Sequence, residues 1–244
     1  MSSLTFGSLF AGIGGFDLGF ERAGMVCKWQ VEIDEYANRV LAKHWPDVRR
    51  WPDVRTWPQP DTERVDVICG GFPCQDISYA GQGAGLDGER SGLFFEAVRV
   101  VRELRPRIVV LENVAALLTR GLDRVLGTLA EIGYDAEWHC IPAAAVGAPH
   151  IRDRVFVIAY AVGARAGDEG RATGRQERKH AGAFQPEIVR QGNRAIMPER
   201  VDAVCGVDDG VPARVDRLRG LGNAVVPQVA EWIGRRIIEA TCEL

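Results

Sequence analysis

The run Gly70-Gly71-Phe72-Pro73-Cys74-Gln75-Asp76-Ile77-Ser78 sets a thiol in a glycine- and proline-containing loop directly behind the apolar stretch VDVIC. A cysteine at the carboxyl end of a strand is placed for exposure and attack, provided its surroundings help to form the thiolate. A lone cysteine is more commonly a small buried hydrophobe, and that is the reading for Cys27, Cys69, Cys140, Cys205 and Cys242. Glu112 lies near the end of a second apolar run, RIVVLEN. There a carboxyl group is either a solvated cap or, if desolvated, an acid that keeps its proton near neutral pH. Arg152 and Arg154 open a third run, as surface cations or as donors that offset negative charge developing on a bound group.

A second kind of chemistry is written nearer the amino terminus. Phe10-Ala11-Gly12-Ile13-Gly14-Gly15 joins an apolar run to a helical pattern, and its glycines let the backbone approach a ligand closely. Glu32 lies twenty residues past Gly12, at the end of the next apolar run, where an acid can bind ribose hydroxyls. The layout suits a nucleoside. It is not the full dinucleotide fingerprint, because Asp17 stands where the third glycine belongs.

These residues need a scaffold that brings strand ends together. Strands are predicted at 4–10, 27–33, 65–69, 107–113, 134–141 and 154–161, with Gly70-Gly71 bounding the third. Helices are predicted between them, at 15–24 closed by Gly24, at 34–45 before Pro46, at 91–104 and at 123–133. Strictly alternating strands and helices give an α/β fold, a doubly wound and mostly parallel sheet with helices on both faces. Ligands in such sheets bind beyond the carboxyl ends of the strands, which is where the chemical residues fall. From Gly163 the periodicity fades into a glycine- and alanine-rich, locally basic stretch, read either as a small insert or as a solvated excursion. Helical spacing returns in QVAEWIGRRI. The expected organisation is therefore a domain at 1–161, an insert at 162–213, and a segment at 214–244 that returns to the first domain.

Taken in order, these stretches resemble the motifs of cytosine-5 DNA methyltransferases. Pro73-Cys74-Gln75 resembles the family's nucleophile motif, Leu9 to Gly15 its cofactor loop, and Glu112-Asn113-Val114 its Glu-Asn-Val. Arg152-Asp153-Arg154 resembles the Arg-x-Arg pair, and Gly222-Asn223-Ala224-Val225 the closing motif. The resemblance implies an S-adenosylmethionine-dependent methyltransferase fold with a small, loop-rich target-recognition insert. It implies Cys74, Glu112, Arg152 and Arg154 as catalytic residues. It implies a cofactor site of Phe10, Ala11, Gly12, Gly14, Gly15, Glu32, Ile33, Asp53, Val54, Pro73, Leu93, Asn223 and Ala224. It also implies base flipping, with Gln75, Ser78 and Gln82 on the DNA and the glycines of residues 81–88 forming a lid. Each has a plainer alternative: Asp53 as a turn former, Asn223 as a cap of the last helix, Phe10, Pro73 and Leu93 as packing.

Three departures stand out. Ser8 takes the place of an aspartate that often precedes the cofactor loop, His150 replaces a glutamine, and the insert is short. A short insert suits a short or relaxed target sequence. The totals allow this reading without demanding it. The 244 residues carry 46% hydrophobic side chains and a net charge of −3, which excludes a uniformly basic DNA binder but not a local basic groove. No apolar run approaches the roughly 18 residues of a membrane span, and no secretion signal opens the chain, so a cytoplasmic protein is expected. Cysteines and histidines do not fall at metal-ligand spacing, so no metal is expected. A monomer acting on double-stranded DNA, with a companion restriction endonuclease as a further partner, completes the expectation. The competing readings are a non-catalytic DNA-binding relic and a nicotinamide-dependent oxidoreductase, the latter resting only on the glycine turn and Glu32.

Overall fold

The computed structural model describes residues 3–73, 92–148, 150–163 and 214–242. Strands β1 (Thr5–Leu9), β2 (Val26–Val31), β3 (Arg49–Trp51), β4 (Val67–Gly71), β5 (Ile108–Val114), β6 (Tyr134–Pro142) and β7 (Asp153–Ala161) form one sheet. Their order is β3-β2-β1-β4-β5-β7-β6. The first five strands pair in parallel, and β7 runs antiparallel between β5 and β6. The crossovers run through helices α1 (Gly15–Ala23), α2 (Glu35–His44), α3 (Gly92–Leu104) and α4 (Leu122–Glu131); α5 (Arg214–Asn223) and α6 (Pro227–Cys242) close the described chain.

The period of two along each central strand divides the core into two layers. Val67 and Cys69 of β4, Ile108 and Val110 of β5, and Phe156 and Ile158 of β7 join Phe16 and Phe20 of α1 and Val229, Ile233 and Ile237 of α6. The intervening Ile68, Val109, Leu111, Val155 and Val157 face Phe94, Val98 and Val101 of α3 and Val125 and Leu129 of α4. The doubly wound expectation is met, with helices on both faces. Helices α1 and α6 pack unusually close. A methyl group added at Gly19 would stand 2.4 Å from the Cβ of Ala230, and one at Gly234 2.8 Å from that of Ala23.

Local signals set the helix ends where the sequence places them. Asp34 caps α2 by accepting a hydrogen bond from Ala37 N, and Gly24 ends α1 at φ +102°. Three expectations need correction. Gly70 and Gly71 belong to β4 rather than bounding it, because both pair with β5, opposite Leu111 and Glu112. Cys140 is exposed, since β6 is the outermost strand. Asn223 is the last residue of α5 and does not cap the final helix, which starts at Pro227. Helix α5 and the three-residue β3 were not foreseen: both are too short in apolar periodicity to announce themselves. The insert at 162–213 lies almost wholly outside the described residues. Among those described, no helix is long and apolar enough to cross a membrane.

Asp17, the misfit of the glycine turn, proves to be structural. Its carboxylate is fully buried and accepts hydrogen bonds from Ser8 Oγ at 3.1 Å and Gln30 Nε2 at 2.8 Å. Ser8 thus supports the turn from the other side of a hydrogen bond. Burial raises the Asp17 pKa to about 6, against the lowering effect of Gln30 and Ser8. The folded chain therefore binds the Asp17 proton more tightly than the unfolded chain, and stability falls as pH rises through the interval from 3.8 to about 6. Asp17→Asn keeps the shape and removes the charge. Measured by urea unfolding, its stability relative to wild type is expected to improve by about 2 kcal/mol between pH 4 and pH 8. An unchanged difference at the two pH values would contradict the assignment.

Candidate active site

One edge of the sheet gathers the residues singled out by their chemistry. Leu9 pairs with Val31 and with Gly70, Gly71 pairs with Glu112, and Val114 pairs with Arg154. The carboxyl ends of β1, β2, β4 and β5 and the amino end of β7 therefore meet along one line.

Glu112 sits at the centre of that line, 7% exposed. Arg154 Nε lies 2.9 Å from Glu112 Oε1, while Arg154 Nη1 donates to the neighbouring Asp153 carbonyl. Desolvation raises the Glu112 pKa to about 7, and the charges of Arg154 and Arg152 pull the other way. Burial wins, so the group is half protonated near neutrality. Arg154 holds Oε1, and Oε2 faces Gly71. A carboxyl group in that state can both donate a proton and take it back. A Cβ at position 71 would stand 2.9 Å from Oε2. Gly71→Ala is therefore expected to lower kcat about tenfold by displacing the acid, with nucleoside binding unchanged. Steady-state kinetics beside equilibrium binding checks this; equal kcat would show that the space is not needed.

Asn113, given no role from the sequence, anchors the chain that leaves β4 at Phe72. It is 2% exposed, its Nδ2 donates to the Phe72 carbonyl at 3.1 Å, and its Oδ1 accepts from Val114 N. It thus ties the end of β5 to the chain that runs through Pro73 toward Cys74. The available signal was an amide at the end of an otherwise apolar strand, which must find partners when buried. Cys74, Gln75, Ser78, Gln82 and the glycine-rich residues 81–88 lie outside the described residues.

The glycine turn forms the second half of the site. Ala11 N donates to the Val31 carbonyl, and the chain turns through left-handed backbone at Phe10 (φ +52°), Gly12 (φ +56°) and Gly14 (φ +88°). Glu32 is bound into this turn: Oε2 accepts from Gly12 N and Oε1 from Asp34 N, both at 2.7 Å. Each oxygen retains acceptor capacity for a sugar hydroxyl. Ile33 beside it is 64% exposed, an apolar surface suited to a flat ring. These features fit a nucleoside cofactor.

Other predicted residues take less direct positions. Asp53 caps a short turn at Val54–Thr56 and pairs with Arg55 at 2.9 Å, which holds its carboxyl below the usual range. Val54 is core, and Phe10 and Leu93 pack against the same cluster. Pro73 is half-buried at the end of the described loop, and Asn223 is exposed. Gly15 meets the closing segment directly, since a Cβ there would lie 2.2 Å from the Val225 carbonyl oxygen. Arg152, at φ +36°, donates through Nη2 to the carbonyls of Gly222 and Ala224 at 2.7 and 2.8 Å, while its charge still acts on Glu112.

Comparison with known proteins agrees with this geometry. A family model described as C-5 cytosine-specific DNA methylase matches residues 4–181. The Type II methyltransferase M.Eco47II of Escherichia coli is 37% identical over 158 residues, covering 62% of this chain and 38% of the relative. M.HhaI of Haemophilus parahaemolyticus is 32% identical over 164 residues, covering 66% and 50%. The chain thus spans about two fifths to half the length of the curated relatives it matches. Among solved structures, a prophage-encoded protein of E. coli assigned as a DNA modification methyltransferase superposes with a TM-score of 0.56 at 28% identity, covering 66% of this chain and 47% of that one. A methyltransferase of Entamoeba histolytica shares the fold at a TM-score of 0.62 and 13% identity, covering 100% and 99%. The dinucleotide oxidoreductase reading therefore falls away. With more than half its length matched by the family model, the chain belongs to the C-5 cytosine-specific DNA methylase family.

Proposed function

We propose that this chain is a DNA (cytosine-5-)-methyltransferase, carrying a methyl group from S-adenosylmethionine to carbon 5 of a cytosine flipped out of double-stranded DNA. The observation that carries the reading is Glu112, a buried acid with a pKa of about 7, paired with Arg154 and aligned with the strand end that leads into Cys74.

Cytosine carbon 5 is a poor nucleophile until the ring is enriched with electrons. The Cys74 thiolate adds to carbon 6, forming a carbon–sulfur bond and pushing a ring electron pair toward nitrogen 3. Glu112 delivers its proton, or a strong hydrogen bond, at nitrogen 3. Arg154 fixes the acid through Oε1 and offers positive charge to the exocyclic oxygen. After carbon 5 is methylated, a base removes its proton, the double bond re-forms, Cys74 leaves as thiolate and Glu112 takes its proton back from nitrogen 3. S-adenosylmethionine, when bound, supplies the electrophilic methyl group. Glu32 would hold its ribose, with Phe10, Ile33, Asp53 and Val54 about the adenine. The glycine turn (Ala11, Gly12, Gly14, Gly15), Pro73, Leu93, Asn223 and Ala224 would line the remainder. Gln75, Ser78 and Gln82 are proposed to contact DNA, and the short insert at 162–213 to read a short or relaxed target.

The reading extends to a monomeric, cytoplasmic enzyme of DNA protection with a companion endonuclease. Its test is transfer of labelled methyl from S-adenosylmethionine into unmethylated duplex DNA, followed by bisulfite sequencing of the product. Label at cytosine carbon 5 supports the reading, and the sequenced sites give the target. A folded chain that binds the cofactor and transfers nothing would point instead to a non-catalytic DNA-binding relic.

A further inference from the structure

Arg152 occupies a position that the base chemistry does not use. It precedes β7 by one residue, and its backbone is held at φ +36°, left-handed and unfavourable for a residue with a Cβ. Its Nη2 joins the carbonyls of Gly222 and Ala224, at the end of α5 where helix carbonyls lack partners of their own. A guanidinium there also meets the negative end of the helix dipole. The carbonyl of the next residue, Val225, packs against Gly15, and Gly220 stands against Ile13, where an added Cβ would come within 3.1 Å of Cγ2. The segment from Gly220 to Val225 is thus one wall of the glycine turn, and Arg152 fixes that wall to the strand bearing Arg154.

We propose that Arg152 is a positioning residue for the cofactor half of the site: its guanidinium clamps the Gly222–Ala224 carbonyls so that the closing segment holds the glycine turn ready for S-adenosylmethionine. This rests on the proposed function and assigns Arg152 to cofactor affinity rather than to the target base. The two arginines are then divided in labour. Arg154 pairs with the acid, and Arg152 holds the closing segment.

The test is calorimetric titration of the full chain with S-adenosylmethionine, for wild type, Arg152→Gln, Arg152→Lys and Arg154→Gln, each shown folded by circular dichroism. Hydrogen bonds from a charged donor are strong enough that Arg152→Gln is expected to weaken binding about tenfold to a hundredfold. Arg152→Lys, reaching one carbonyl, should recover part of the loss. Arg154→Gln should bind within about twofold of wild type while lowering kcat. In kinetics, Arg152→Gln should raise KM for S-adenosylmethionine by a larger factor than it lowers kcat. Folded Arg152→Gln that binds as tightly as wild type overturns the inference alone. A wild-type chain that shows no binding overturns the reading on which it rests.

Discussion

Replacing Cys74 by alanine is expected to abolish methyl transfer to DNA, by roughly 10⁴-fold or more, while S-adenosylmethionine binds as before. The size of the effect follows from what the thiolate does. Without addition at carbon 6, the ring stays electron-poor and carbon 5 has no electron pair to offer, so no other residue compensates. The cofactor half is built from the glycine turn and Glu32, residues far from Cys74 in the sequence. Binding and chemistry should therefore separate cleanly. The decisive measurement is labelled-methyl transfer beside cofactor titration of the same protein. Residual transfer above one part in a thousand would show that Cys74 is not the nucleophile.

Glu112→Gln should have the next largest effect, lowering kcat about 10²- to 10⁴-fold. The amide preserves shape and can still offer a hydrogen bond to nitrogen 3, but it cannot deliver a proton. The pH profile carries a second signature. With its pKa raised to about 7 by burial, Glu112 is mostly protonated at pH 6 and mostly ionised at pH 8. The protonated form is the active one, so this group makes kcat/KM for DNA fall about tenfold per pH unit above pH 7. In Glu112→Gln the falling limb near pH 7 should vanish. Its persistence would assign that limb to another group and remove Glu112 from the proton path.

Much of this site was legible before any coordinates. Alternating apolar runs announced the parallel core, and the placing of Glu112 and Glu32 at strand ends followed from the rule that α/β sheets bind ligands there. What was not legible depends on contacts between distant segments. Asp17 reads locally as a helix residue, and only the arrival of Ser8 on β1 and Gln30 on β2 makes it a buried acid. Asn113 reads as the middle letter of a motif, and its work becomes visible only with the Phe72 carbonyl across the sheet. Arg152 looks like a partner of Arg154 because a single residue separates them. The side chains instead part, one toward Glu112 and the other toward Gly222 and Ala224. Gly71 was read as a strand boundary, whereas its missing Cβ leaves room for the Glu112 carboxyl group.

The close seam between α1 and α6 bears on how the chain is made. Phe16 and Phe20 face Val229, Ala230 and Ile233, residues that emerge from the ribosome long after them. Until then the aromatic face of the nascent domain has no cover, and contacts so distant along the chain form late and slowly. Since the same late segment carries Gly222 to Val225, the newborn protein acquires the wall of its glycine turn only when that face is finally sealed.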